Sequence, residues 1–190
     1  TYLWTLYFYE NFGGQASVYD FVQEQANGVN GYSNFFVDHG YSAPFAHYFA
    51  NWTVANYLDD PGLGSGQYGY DGDALPAFKT VANHSSYPVN QSSTVNHYAA
   101  DYVKFVHDTP IQITFDGDET ADFAVWAIEM DTSTETRVTA VTLNAMQNGE
   151  IILSDLGTLY SEVVMVFAGV SSTGGQNYNY TAMEYTATPT

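Results

Sequence analysis

The chain has 190 residues, 21 acidic against 3 basic, and a formal net charge of −18. That length holds one large domain or two small ones, with apolar residues enough for a core. The charge excludes nucleic acid and anionic membrane surfaces as partners, because both need basic side chains beyond Lys79, Lys104 and Arg137.

Two patterns follow one another along the chain. Residues 1 to about 60 read as helical. Tyr2 to Phe12 is apolar or aromatic on every side and stops at Gly13-Gly14, which predicts a helix buried all round. A second helix is expected over Ser17 to Gln25, with Val18, Phe21, Val22 and Gln25 on one face and Asn27-Gly28 as its stop. A short third fits Tyr32 to Asp38, ended by Gly40. The fourth has Ser42 as N-cap and Pro44 in its first turn. Phe45, Tyr48, Phe49, Trp52, Ala55 and Asn56 then recur at helical spacing. The stretch Asp59 to Gly66 is dense in turn formers and separates the two patterns.

The second pattern is short β-rich runs. They are Val95 to His107, Ile111 to Phe115, Phe123 to Met130, Arg137 to Leu143, Ile151 to Leu153, Val163 to Gly169 and Tyr178 to Tyr185. Asp116-Gly117-Asp118, Asn148-Gly149 and Gly174-Gly175 fall between them as turns. The expected fold class is α+β. A helical subdomain over 1–73 precedes an antiparallel β-sandwich, jelly-roll or Ig-like, over 74–190.

Composition bears on place and chemistry. Absence of cysteine excludes disulfides, thiolate metal sites and cysteine catalysis. Only 13% of residues are charged and 17% are aromatic, against about 25% charged in typical soluble domains. A chain so rich in Tyr, Asn and Thr and so poor in Lys points to an extracellular or cell-surface location. Networks of ion pairs are not expected. No apolar run approaches the roughly 18 residues that span a bilayer. Thr1-Tyr2-Leu3-Trp4 has neither Met nor a basic stretch, so a processed start, or part of a longer gene product, is expected.

The helical half resembles the C-terminal part of secreted HExxH, gluzincin-like zinc metallopeptidases. The resemblance rests on Leu6-Tyr7-Phe8-Tyr9-Glu10-Asn11-Phe12-Gly13-Gly14, Asn27-Gly28 and Gly40-Tyr41. It continues through Phe45 to Asp60, where Trp52-x-x-Ala55-Asn56-Tyr57-Leu58-Asp59-Asp60 is the more specific piece, and closes with Tyr68-Gly69-Tyr70. Val95 to Tyr102 and the strands after it look like the β domain that commonly follows. The resemblance implies packing and capping roles for the matched residues and transfers no catalytic residue. His39, His47, His84, His97 and His107 include no HExxH, and zinc hydrolysis needs two His on one helical turn, a Glu between them and a third ligand.

Three sets of residues are candidate sites. Asp116, Asp118 and Asp122 share one acidic turn with Glu119 and are candidate calcium ligands, calcium being the one cofactor suggested. Asp59-Asp60 and Asp71-Gly72-Asp73 bracket the loop after the fourth helix. Glycosylation sequons occur at Asn51, Asn83, Asn90 and Asn179; the last three are expected in loop or edge contexts, while Asn51 is expected unmodified inside its helix. The apolar start, Tyr2, Leu3, Trp4, Leu6, Tyr7 and Phe8, is a candidate self-association segment, because an apolar helix must be covered by something. The histidines and most of the aromatics are expected to be packing residues. The function expected is a non-catalytic extracellular structural subunit that self-assembles as a filament or surface layer, a homo-oligomer or polymer. The alternatives are a metallopeptidase fragment working with a separate catalytic chain that carries HExxH, and a glycan- or cell-wall-binding module.

Overall fold

The computed structural model describes residues 2–72, 75, 76, 78–133, 135–171 and 175–186. The chain divides into two units, Thr1–Phe78 and Lys79–Thr190. The fold is α+β, four helices and then two sheets.

The first unit carries α1 (Tyr2–Asn11), α2 (Gly14–Gln23), α3 (Gly28–Asp38) and α4 (Phe45–Leu58). Its interior is aromatic. The Trp4 ring meets Tyr32 and Phe45, both at 5.3 Å, and Trp52 at 5.6 Å, edge-on in each case. Phe8 meets Phe35 at 4.9 Å and Phe12 meets Phe36 at 4.8 Å. Phe21 stacks on Tyr32 at 4.1 Å. Each such pair adds about 0.5–1.5 kcal/mol beyond area burial.

Helix α1 is not buried all round. Trp4, Tyr7, Phe8 and Phe12 face inward, while Tyr2 is 74% and Tyr9 46% exposed. A tyrosine tolerates this because its hydroxyl end is wet. The helix buried on nearly every side is α4. It starts one residue after Pro44, which serves as N-cap with no side-chain hydrogen bond, so Ser42 does not cap it. Helix α2 starts at Gly14, not Ser17, whose hydroxyl instead donates to the Phe12 carbonyl. Its expected inner face is partly outside, with Val22 exposed. Gly28 is not a stop but the first residue of α3, entered at φ 60. Gly40 ends α3 at φ 78, where Tyr41 N–H donates to the Phe36 carbonyl at 2.8 Å.

The loop after α4 is not a plain separator. It folds back on the helices. Tyr7 Oη donates to the Gln67 carbonyl at 3.0 Å, Asn51 Nδ2 to Gln67 Oε1 at 2.8 Å, and Tyr70 Oη to Asn56 Oδ1 at 2.5 Å. The turn closes through Asp60 N–H on the Tyr68 carbonyl at 3.0 Å. Gly69 permits this contact, since a Cβ there would lie 2.3 Å from the Asp60 carbonyl carbon.

The second unit is a sandwich of β1 (Ala82–His84), β2 (Val89–Asn96), β3 (Ala99–Phe105), β4 (Ile111–Gly117), β5 (Phe123–Met130), β6 (Arg137–Val141), β7 (Asn148–Leu153), β8 (Glu162–Gly169) and β9 (Gly175–Glu184). One sheet has the order β1-β3-β8-β5-β6, the other β2-β9-β4-β7. Apart from β1, this is the eight-strand jelly-roll arrangement. All pairings are antiparallel except β1 with β3, which is parallel and departs from the all-antiparallel expectation.

Phe105, Ile111, Ile113, Phe115, Val163, Met165, Phe167 and Tyr178 fill the core between the sheets. The expected run Val95 to His107 is two strands, because His97-Tyr98 turns a corner with Tyr98 at φ 47. Asn148-Gly149 lies inside β7. The turn is Asn144 to Gln147, where Asn144 Oδ1 accepts the N–H of Met146 at 2.9 Å and of Asn148 at 3.1 Å. Asp116 and Gly117 likewise end β4 rather than forming a turn. Gly174 lies outside the described residues.

Candidate functional site

The sandwich holds a cleft of about 530 Å³ lined by Ser85, Val106, His107, Asp108, Asp131, Gly157, Thr158, Tyr160 and Ser161. Its lining comes from four connections: Ser85 after β1, Val106 to Asp108 after β3, Asp131 after β5, and the loop before β8. Gly157, at φ 79, lets that loop press on the segment after β3; a Cβ would lie 2.2 Å from the Asp108 carbonyl carbon.

Beside the cleft is a charged network. Glu129, 1% exposed, lies in the same phase of β5 as the core residues Phe123, Val125 and Ala127. Arg137 lies directly opposite on β6. Its guanidinium donates to both Glu129 oxygens, at 2.6 and 2.7 Å, and to Asp155 Oδ2 at 2.7 Å. It also lies 4.8 Å over the Tyr160 ring. The expectation of no ion-pair network is therefore corrected: the single arginine is the hub of one, because a buried carboxylate demands a partner.

Two polar groups of the cleft, His107 and Asp131, are held by neighbours outside its lining. His107 Nδ1 takes the Thr109 hydroxyl at 2.8 Å, its ring meets Tyr87 edge-on at 4.7 Å, and its Nε2 lies 3.6 Å from Glu184. Burial pushes the Tyr87 hydroxyl up to about 12. Asp131 accepts the Ser133 backbone N–H at 2.9 Å and hydroxyl at 2.8 Å, which hold its carboxyl below the usual range. Among the described residues no serine hydroxyl is hydrogen-bonded to a histidine. The cleft presents hydroxyl and carboxylate oxygens and the His107 imidazole, which is already engaged by the Thr109 hydroxyl.

The sequence-derived sites fare differently. Among the described residues no three His, Asp or Glu side chains gather as they would to hold a metal ion, and Asp116, Asp118 and Asp122 each have different surroundings. Asp116 lies on the outer face of β4 opposite Asn148 and Asn179. Asp118 Oδ1 turns onto its own loop, accepting the Thr120 hydroxyl at 2.7 Å and N–H at 2.9 Å, which hold its carboxyl low. Asp122 precedes β5, its N–H bonded to the Ser171 hydroxyl. Asp73 lies outside the described residues.

Of the self-association set, Trp4, Tyr7 and Phe8 are buried inside the helical unit and unavailable at its surface. Leu3 and Leu6 are half-buried, and Tyr2 is exposed. The cover that α1 required comes from α2, α3 and α4, with Phe21, Phe35 and Trp52 against it. Of the sequons, Asn83 and Asn90 are exposed on the edge strands β1 and β2, whereas Asn179 is exposed on the inner strand β9, not in an edge or loop. Asn51 is 3% exposed. His39 pairs with Asp20 at 3.1 Å and His47 accepts from Asn51 Nδ2 at 3.3 Å.

The cleft and the Glu129–Arg137 network were missed by sequence reasoning. The network carried a signal: a glutamate in core phase on an alternating strand, eight residues before the single arginine. The cleft carried none, since its residues come from four separate connections.

No family model matches the chain, and no curated protein matches it. Among solved structures it is similar to the pre-peptidase C-terminal domain of a Bacillus anthracis collagenase, at 9% identity and a TM-score of 0.41, covering 56% of this chain and 99% of that one. It is also similar to the periplasmic inhibitors of g-type lysozyme from Salmonella Typhimurium and Aeromonas hydrophila. The former has 8% identity and a TM-score of 0.36, covering 54% of this chain and 97% of that one. The latter has 4% and 0.38, covering 55% and 96%. At these scores nothing of those proteins' roles passes to this chain.

Proposed function

We propose that this chain is a non-catalytic, extracellular structural unit, related to the region that follows the catalytic half of secreted zinc metallopeptidases. One observation carries the proposal. The aromatic set of the helical unit is taken up among its own helices, with Trp4 enclosed by Tyr32, Phe45 and Trp52. A helical half that fills its own interior does not need a catalytic half to cover it.

Self-assembly is retained in the proposal with a changed address. The tyrosines left outside on α1 and α2 are Tyr2, Tyr9 and Tyr19, and these replace Trp4, Tyr7 and Phe8 as the contact residues. Electron microscopy and size-exclusion chromatography of the purified chain test this, alongside the triple Tyr2→Ser, Tyr9→Ser, Tyr19→Ser variant. Filaments or sheets in the parent and monomers in the variant are expected. Monomers from both would remove assembly and leave an accessory domain. Co-purification with an HExxH-bearing chain would instead favour the fragment alternative.

A further inference from the structure

We propose that Asn83 and Asn90 are the N-glycan acceptors of this chain, and that folding closes the sequons at Asn51 and Asn179. The distinction comes from where the fold puts four similar tripeptides.

The chemistry needs two things of an acceptor. The asparagine amide nitrogen attacks the anomeric carbon of a glycosyl diphosphate donor. The C–N bond forms, the C–O bond to the diphosphate breaks with its electron pair leaving on oxygen, and the amide proton passes to a base of the transferase. To reach this geometry the tripeptide must leave its sheet or helix so that the amide and the hydroxyl two residues on face the enzyme together. Segments at sheet edges open locally at small cost, while segments paired on both sides open nearly as rarely as the whole domain.

Asn83 meets both needs. It is exposed in the three-residue strand β1, which pairs with β3 on one side only. Its hydroxyl partner Ser85 already lies past the strand end. Its side chain is held by an exposed bond alone, from Thr80 Oγ1 at 2.9 Å. Asn90 is the second residue of β2, the edge strand of the other sheet, and is exposed.

Asn179 faces the same solvent as Asn90 but is locked. Strand β9 is paired with β2 on one side and β4 on the other. The two sequons run antiparallel against each other, so that Asn90 is opposite Thr181 and Ser92 opposite Asn179. Ser92 Oγ, the hydroxyl of the Asn90 sequon, donates to Asn179 Oδ1 at 2.6 Å, a bond that either sequon must break, so the difference between them lies in the ladders. Freeing Asn179 therefore means breaking two ladders, freeing Asn90 only one. Asn51 is buried in mid-helix with Nδ2 bound to Gln67 Oε1.

Occurrence of the modification in the source cell rests on the extracellular proposal; the acceptor order does not. The test is transfer in vitro. The folded chain is incubated with a single-subunit oligosaccharyltransferase and a lipid-linked oligosaccharide, and occupancy at each asparagine is read by peptide mass spectrometry. Occupancy at Asn83 and Asn90 at least about tenfold above Asn179 and Asn51 is expected in the folded chain. In the urea-unfolded chain, diluted into the same reaction, all four should be used. Equal use of Asn179 and Asn90 by the folded chain, or no transfer to Asn83 and Asn90, overturns the proposal. The native chain purified from its source is mapped in parallel. An unmodified native chain, with the in vitro order intact, removes Asn83 and Asn90 as acceptors in the source cell and leaves the order of accessibility that the fold imposes.

Discussion

At the scale of the residue, the buried Glu129 sets the electrostatics of the sandwich. Its charge is met by a two-pronged guanidinium that is itself 41% exposed. Replacing one partner of such a pair leaves a buried charge alone. Arg137→Ala should cost about 3 kcal/mol in urea unfolding, the low end for a buried pair because water reaches the arginine side. Arg137→Lys should recover part of this, since an ammonium keeps the charge and loses the fork. An unchanged midpoint in Arg137→Ala would remove the pair from what holds β5 to β6. Two histidines predict opposite responses to pH. Hydrogen bonding to Asp20, then to the Phe35 carbonyl, raises the His39 pKa. The stability it adds to the helical unit is full below about pH 6.5 and is lost as pH rises through the raised value. Burial lowers the His84 pKa, and its Nε2 lies 2.8 Å from Tyr180 Oη. Below about pH 6.5 the unfolded chain takes a proton that the folded sandwich resists, so stability there falls with pH until the lowered value is passed. Hydrogen exchange read separately for each unit between pH 7.5 and 5.5 (a range spanning about 6.5) should show protection rising in the helices and falling around β1. His84→Phe should flatten the second response; a slope unchanged in that variant would assign it to another group.

At the scale of the element, α1 is amphipathic in a way its composition hides. Trp4, Tyr7, Phe8 and Phe12 follow helical spacing, and tyrosines complete the outer side. Trp4→Ala should cost about 3–5 kcal/mol and lower helical circular dichroism, whereas Tyr9→Ser should stay within about 0.5 kcal/mol. Equal losses would mean that the two sides of α1 are not distinguished. Backbone approach decides two connections. Gly157→Ala would drive a Cβ into the Asp108 backbone at a left-handed φ, and should lower the thermal midpoint of the sandwich more than Gly72→Ala, which meets nothing within 4 Å, lowers that of the helical unit. Element type was legible where the period was clear: α4, with Phe45, Phe49 and Trp52 in register, and β5, which alternates over Phe123 to Ala127 before Ile128 is buried as well. Boundaries were less so. Gly28 looked like a terminator because glycine ends helices, yet the same tolerance for positive φ lets it begin one. Asn148-Gly149 looked like a turn because the dipeptide often is one, but the Asn144 side chain captured the turn first.

At the scale of the whole molecule, a net charge of −18 acts against any close meeting of copies. Light scattering should therefore rise as carboxylates are protonated below about pH 5. With no cluster of three candidate ligands among the described residues, calcium should promote association no better than magnesium at equal concentration. A calcium-specific effect would point to a site that forms only between copies. The sequence by itself determined the α+β class, the order of helices and strands and the exclusion of an HExxH centre within the chain, because these depend on period, turn chemistry and residue inventory. It also held the clue to Glu129, a charge in core phase. What only the tertiary structure decided is which side of each element is covered and which distant segments meet. The enclosure of Trp4, the joining of four connections into one cleft, and the closing of Asn179 between two ladders while Asn90 keeps a free edge all depend on pairings between residues far apart in sequence. Local patterns cannot carry that information, since the same alternating strand reads alike at the edge and in the middle of a sheet.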